Sequence, residues 1–286
     1  MITYNHQNFI ADAIRGVLMQ KIEYSMELII SNDASTDKTD EVIKDLISTY
    51  KGQIKIKYHS NSQNLGMNPN FLKALSISSG SFIALCEGDD YWTDPYKLQK
   101  QVDFLEANED YAICFSGYKI LNKFKNEEKI VVPIIGPILI EQLIKNNSFS
   151  TATVLFSAKY FKAIPDWFKK MHFGDWAIYL YILFNSKKKA YCLKDITAVY
   201  RIHAGGIHGY FHSSPKQLVV AYNMHIDFYK AINKYLFNRV YSSLIEDCIE
   251  ERKKIIASLK KNYQKQFPLV LKKIHSFFYN LVRLSK

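Results

Sequence analysis

The chain opens with apolar residues at helical spacing. Phe9, Ile10, Ala13, Ile14, Val17 and Leu18 fall on one face, and the compact run Met26 to Ser31 that follows suits a strand. Val42, Ile43, Leu46, Ile47 and Tyr50 mark a second helix, with Ser35, Thr36 and Asp37 ahead of it as capping candidates. Ile54, Ile56 and Tyr58 alternate with Lys55 and Lys57, as in a strand with one wetter face. Asn68-Pro69 is a cap and first-turn pair for a helix carrying Phe71, Leu72 and Leu75. The unbroken apolar run Phe82 to Cys86 predicts a strand buried on both faces. Asp94-Pro95 then opens a helix with Leu98, Val102 and Leu105 inward, and Tyr111 to Gly117 reads as a further strand. Strand and helix thus alternate to about Gly117, which predicts an α/β fold with a mostly parallel sheet flanked by helices.

Beyond this point the pattern loosens. Residues 118–212 mix short strands and helices, as an α+β extension of the same domain would, and Ile130 to Ile140, with Pro133, Gly136 and Pro137, predicts a loop or interrupted strand. Residues 213–286 read as a helical appendage to the two halves, 1–117 and 118–212. Charge divides in a similar way. The net charge is +11, yet Arg252 to Lys286 holds ten Lys/Arg and no acid, leaving 28 basic against 27 acidic side chains before it. Within that tail, Pro268 to Leu284 has the pattern of a basic amphipathic helix, suited to an anionic membrane surface or to packing on its own domain. A content of 48% hydrophobic residues in 286 argues against disorder, and no uncharged apolar stretch reaches the length of a membrane span. Cys86, Cys114, Cys192 and Cys248 are scattered without a CxxC pair, so they read as reduced core thiols of a cytoplasmic protein.

The chemistry concentrates in SFIALCEGDDYW, Ser81 to Trp92, where the apolar run ends in Glu87-Gly88-Asp89-Asp90. Open α/β sheets place ligands at the carboxyl ends of their strands. Three acids in four residues repel one another unless a cation or several N–H groups neutralise them, and hard oxygen donors suit magnesium or manganese, which in turn suit a diphosphate. The same acids also fit a solvated turn ahead of a helix. Thr3-Tyr4-Asn5, Ser31 to Asp37 and Asn64-Leu65-Gly66 end the other predicted strands, so all four segments would line one crevice.

In this order ITYN, SNDASTD and EGDDYWTDPYKLQKQVDFL resemble glycosyltransferase family 2, nucleotide-sugar transferases of the GT-A fold, strongly over residues 1 to about 117 and more loosely to about 210. The resemblance implies an inverting, metal-dependent transfer from a nucleoside-diphosphate sugar, UDP-linked, to a glycan or lipid-linked acceptor hydroxyl in surface polysaccharide assembly at the cytoplasmic face. By position it implies that Asp33 accepts a hydrogen bond from the base and Tyr4 stacks on it. Thr3, Asn5, Asn64 and Gly66 would line the donor site, and Asp89 and Asp90, with Glu87 nearby, would hold Mn2+ or Mg2+. Asp175, in Phe173-Gly174-Asp175-Trp176 ahead of the apolar helix Ala177 to Phe184, matches the family's general base; alone it is also a plain helix N-terminal carboxylate. Val199 to Gly206 is similar to the family's YRxHxGG-like segment, from which Arg201 or His203 would meet the diphosphate and His203 would complete the metal shell.

Two departures stand out. Asn32 replaces the first acid of the usual pair, and only Met1-Ile2 precede the ITYN triplet, where the family has a longer central strand. This predicts exposed hydrogen-bonding edges in its neighbours, and with them either a start further upstream or a destabilised product. A nucleotidyltransferase would hold triphosphate with a glycine-rich basic loop, and Asn5 to Ala13 has no glycine. Confinement of the excess charge to the appendage favours a membrane or partner surface over nucleic acid. A truncated, inactive relative or a basic-tail interaction protein that keeps the fold is the remaining alternative.

Overall fold

The computed structural model describes residues 1–161, 164–211 and 213–261, so the amphipathic segment Pro268 to Leu284 lies outside the described residues. The chain divides into two compact units, Met1–His203 and a second from Ala204 onward.

The first unit begins with β1 (Ile2–Thr3), α1 (Ile10–Leu18), β2 (Glu27–Asn32), α2 (Thr39–Thr49), β3 (Lys55–Ser60) and α3 (Met67–Ser76). β1, β2 and β3 pair in that order, all parallel, as the alternation of elements predicts. α1 buries Ile10, Ala13, Ile14 and Val17 in the same core as Leu28 and Ile30 of β2 and Ile43 of α2. Next come β4 (Phe82–Ala84), β5 (Tyr91–Trp92), α4 (Lys97–Ala107), β6 (Tyr111–Asn122), β7 (Glu127–Val131), β8 (Gly136–Ile138), α5 (Ile140–Lys145), β9 (Leu155–Ser157), α6 (Gly174–Ser186) and β10 (Lys189–Ile202).

These later strands form a second sheet in the order β4-β9-β6-β10-β5, with β7 against β6 and β8 against β10. It is mixed. β6 and β10 run parallel, whereas β9 lies antiparallel between β4 and β6, a position that a three-residue strand announces with no periodicity. The run Phe82 to Cys86 also departs from expectation. Only its first three residues are strand, and these are half-buried; Leu85 and Cys86, just past the strand, are the buried ones. β4 pairs with β9 on one side, and the acidic turn meets β1 through the Gly88 N–H, which donates to Ile2 O at 2.9 Å. The interrupted strand expected at Ile130 to Ile140 is resolved as the end of β7 and the short β8, separated around Pro133.

In the second unit, α7 (Ile207–Phe211) precedes α8 (Pro215–Ala231), which Ser214 caps by accepting the Gln217 N–H. A π turn, Ile232–Leu236, and a helix over residues 242–261 follow. Ile226, Phe228, Tyr229, Ile232, Phe237, Ile245 and Cys248 are buried. Among the described residues no helix is long and apolar enough to cross a membrane.

One buried charge in the first unit has a measurable consequence. Lys97, on the first turn of α4, is fully buried; its ammonium donates to Gln101 Oε1 at 2.8 Å and lies 4.4 Å from the centre of the Trp92 ring. Burial lowers its pKa from 10.5 to about 7, against the opposing influence of Cys86 and Cys114. The folded state therefore binds fewer protons than the unfolded chain between these values, and stability rises with pH across that window. The parent protein should accordingly gain stability relative to Lys97→Met as pH is raised from 7 to 10, a difference on the order of a few kcal/mol measurable by urea unfolding at each pH.

Candidate active site

The loops at the carboxyl ends of β1 and β2 are stitched together by side chains reaching across to backbone. Asn5, in the left-handed region at φ 56°, accepts the Thr36 N–H at 2.8 Å while its own N–H donates to Ser35 Oγ. The His6 N–H donates to Thr39 Oγ1, and the Gln7 N–H to Asp37 Oδ2. Asn32 accepts from Ser35 through Oδ1 and donates through Nδ2 to the Tyr58 hydroxyl, which in turn donates to Asp40. Asp33 is buried and accepts three N–H bonds at 2.8–2.9 Å: Asn61 Nδ2 and Leu65 N on Oδ1, and Gly66 N on Oδ2. It thus pins the Asn64-Leu65-Gly66 loop, in which Asn64 Oδ1 also accepts the Gly66 N–H. Tyr4, 43% exposed, presents its ring beside these loops.

The acidic turn is brought to the end of β10 by strand pairing, because Tyr91 and Trp92 of β5 lie antiparallel to Val199 and Ala198. Asp90, 1% exposed, accepts the Arg201 N–H on Oδ1 at 2.8 Å, and its Oδ2 is buried without a hydrogen-bond partner. Burial first, and then the Asp89 charge, raise its pKa well above the ordinary range. Asp89 faces two imidazoles, with Oδ2 3.2 Å from His203 Nε2 and 3.8 Å from His6 Nε2. Burial opposes its ionisation, but the His203 hydrogen bond and the neighbouring imidazoles outweigh that, and its carboxyl lies below the usual value. Glu87 is pushed up to about 8, by burial and then by the charges of Asp89 and Asp175.

Asp175 opens α6. Gly174 before it has no room for a side chain, since a Cβ there would sit 2.2 Å from Asn68 Oδ1, and Asn68 in turn donates to Met171 O at 2.7 Å. α3 and the start of α6 thus interlock directly ahead of the carboxylate. Asp175 is half-buried and accepts from Asn147 Nδ2 at 3.1 Å and Thr151 Oγ1 at 3.4 Å; burial raises its pKa against these bonds. Tyr200 registers the convergence of the acids. Its pKa is raised by burial and then by Asp90, Glu87, Asp89 and Asp175 together.

Of the residues singled out from sequence, Glu87, Asp89, Asp90, His203 and Asp175 come into one neighbourhood, while Asp33, Asn64 and Gly66 form a second cluster. Arg201 has several partners within the protein. Its guanidinium donates to Asp89 O at 3.0 Å and to Asp12, lies 4.2 Å from the Tyr91 ring centre, and is only 6% exposed, so its contacts brace the acidic turn. His6, Phe9, Asp12, Asn147, Thr151 and Tyr200 join these residues without a motif that marks them for it. Phe9, whose ring centre is 4.3 Å from that of His203, looked like the start of an apolar helix face. His6 lies one residue past the TYN triplet.

A family-implied divalent cation fits part of this donor set. Two donors each about 2.1 Å from a cation at right angles are about 3 Å apart, close to the 3.2 Å between Asp89 Oδ2 and His203 Nε2. Among the described residues no three such side chains are already arranged as a cage.

The fold is that of the GT-A glycosyltransferases. The mannosyltransferase PcManGT from Pyrobaculum calidifontis, solved in complex with GDP-Man and Mn2+, matches with a TM-score of 0.58 over 94% of this chain and 79% of that one, at 14% identity. Residues 1–164 match the model of glycosyl transferase family 2, and the chain belongs to that family. The uncharacterized protein Rv1520 of Mycobacterium tuberculosis is 32% identical over 216 residues, 74% of this chain and 60% of its own length. The Escherichia coli UDP-Glc:alpha-D-GlcNAc-diphosphoundecaprenol beta-1,3-glucosyltransferase WfaP is 28% identical over 212 residues, covering 71% of this chain and 76% of WfaP. The chain thus spans less than two thirds of Rv1520.

Because Arg201 braces the turn, Arg201→Lys, which cannot reproduce the planar fork, should lower stability by about 2 kcal/mol in urea unfolding. A residue that met only the diphosphate would instead weaken nucleotide binding and leave the unfolding midpoint unchanged.

Proposed function

We propose that the protein is an inverting, metal-dependent glycosyltransferase that moves a sugar from a nucleoside-diphosphate sugar to a glycan or lipid-linked acceptor hydroxyl. The observation that carries this reading is that the strand after the acidic turn and Asp175 meet on one segment: Trp92 Nε1 donates to Ala152 O at 2.7 Å and the adjacent Thr151 hydroxyl donates to Asp175 Oδ2 at 3.4 Å. Asp89 and His203 would hold Mn2+ or Mg2+, with Glu87 and Asp90 beside them. When bound, the cation supplies charge that offsets the negative charge developing on the leaving nucleoside diphosphate.

The chain's own residues supply the rest. Asp33 keeps acceptor capacity on Oδ2 beyond the Gly66 N–H and can take a hydrogen bond from a uracil N–H. The exposed Tyr4 ring offers a stacking face, and Thr3, Asn5, Asn64 and Gly66 shape the surrounding loops. Asp175, with Asn147 and Thr151 orienting its carboxylate, takes the acceptor proton as the hydroxyl bonds to the anomeric carbon. A positioned base of this kind contributes roughly a hundredfold or more. The UDP-Glc of WfaP and the GDP-Man of PcManGT leave two nucleobases in view, and the resemblance favours uracil. The lipid-linked acceptor named for WfaP supports a role in surface polysaccharide assembly. The basic residues from Arg252 onward would supply contact with an anionic membrane at its cytoplasmic face.

A panel of nucleotide sugars with Mn2+ or Mg2+, scored by thermal shift and nucleoside-diphosphate release, tests the reading. Asp89→Asn should abolish metal-linked stabilisation. Asp175→Asn should bind donor normally yet lose about a hundredfold or more in transfer; transfer at the parental rate would rule Asp175 out as the base.

The base must be ionised, and burial raises the Asp175 pKa. Activity should therefore fall as pH drops through a value above that of an ordinary aspartate, about 3.9. A kcat/KM profile measures that acid limb directly.

A further inference from the structure

His6 occupies a position for which the metal-dependent reading has no role. Its Nδ1 lies 3.2 Å from Thr3 Oγ1, and its Nε2 lies 3.8 Å from Asp89 Oδ2, the same carboxylate oxygen that His203 Nε2 approaches at 3.2 Å. The two imidazoles stand nearly perpendicular, 86° between planes, with centres 6.2 Å apart. The Thr3 hydroxyl can accept the His6 Nδ1–H, and in that tautomer the Nε2 lone pair faces the Asp89 side, as in metal-binding histidines whose outer N–H is held by an acceptor.

Chain geometry preserves this arrangement. At Gly88, between Glu87 and Asp89, a Cβ would fall 2.5 Å from Thr3 Oγ1 and 3.0 Å from His6 Nδ1, so a side chain there would displace the pair. Asp89 and His203 already have the spacing of adjacent ligands. His6 is longer than the ideal of about 3 Å by less than about 1 Å, within the reach of a small side-chain rotation.

We propose that His6 is a third protein donor to the cation, completing with Asp89 and His203 a site of two imidazoles and one carboxylate whose remaining positions are left to phosphate oxygens. The inference rests on the metal-dependent reading above. Its consequence is selectivity. Imidazole donors suit borderline transition metals, whereas Mg2+ prefers oxygen and gives up its water reluctantly, so the site discriminates for Mn2+ against Mg2+.

Pulsed EPR of Mn2+ bound to the whole chain, with UDP or GDP present, counts directly coordinated nitrogens through their 14N couplings. Two are expected in the parent and one in each of His6→Asn and His203→Asn. His6→Gln serves as a second substitution, and thermal unfolding checks that each variant is folded. Mn2+ affinity should fall at least about tenfold in His6→Asn while Mg2+ affinity changes by less than about threefold. Thr3→Val, which removes the outer hydrogen bond but keeps the ring, should weaken Mn2+ binding and retain both couplings. A parent spectrum with one coupling that survives His6→Asn and vanishes in His203→Asn overturns the assignment of His6 while the metal-dependent reading stands. A parent that binds no Mn2+ with either nucleotide overturns both.

Discussion

Carboxyl groups crowded into partly dehydrated surroundings resist ionising together, and the architecture of this protein holds four of them in one neighbourhood. Glu87, Asp89, Asp90 and Asp175 all act on Tyr200. Each acid meets the problem differently. Asp89 is kept ionised by hydrogen bonding with His203, Asp90 accepts one backbone N–H from Arg201, and Glu87 retains a proton to well above the ordinary carboxylate range. The Arg201 guanidinium lies between the Asp89 carbonyl, Asp12 and the Tyr91 ring and ties the turn to α1 and β5. Perturbed carboxyls gathered in this way are what mark a functional site, because much of the cost of assembling them has been met by the fold.

The loops after β1 and β2 illustrate a different economy, in which polar side chains replace regular pairing. Asn5, Gln7, Asn32, Asp33 and Asp37 all bond to neighbouring loop backbone, so segments without secondary structure are nevertheless well defined. Asn32, which departs from the family's usual acid, has a reason to be an amide. It accepts from Ser35 and donates to the Tyr58 hydroxyl, and a carboxylate could do only the first.

Much of this was legible along the chain because the signals are local. The helix faces of α1, α2 and α4 and the strands β2 and β3 follow from periodicity, and the acids, their glycine and the loops after each strand follow from residue types at strand ends. β9 was not legible. Its three residues carry no period, and its place between β4 and β6 depends on long-range pairing. Arg201 was legible as a residue of interest, yet whether a guanidinium meets a ligand or braces a turn depends on what packs around it. His6 and Asp12 looked like ordinary members of the first loop and helix until β10 was laid beside β5.

The amino-acid order by itself determined the family, the alternation of elements and the identity of the acids, since these reside in contiguous motifs and short periods. Tertiary structure decided which carboxyls are pushed up and which down, which side chain supports which, and that His6 and His203 both face Asp89 Oδ2. Those outcomes depend on burial and on distances between residues as far apart as Thr3, Glu87 and Asp175, and neither quantity exists until the chain has folded.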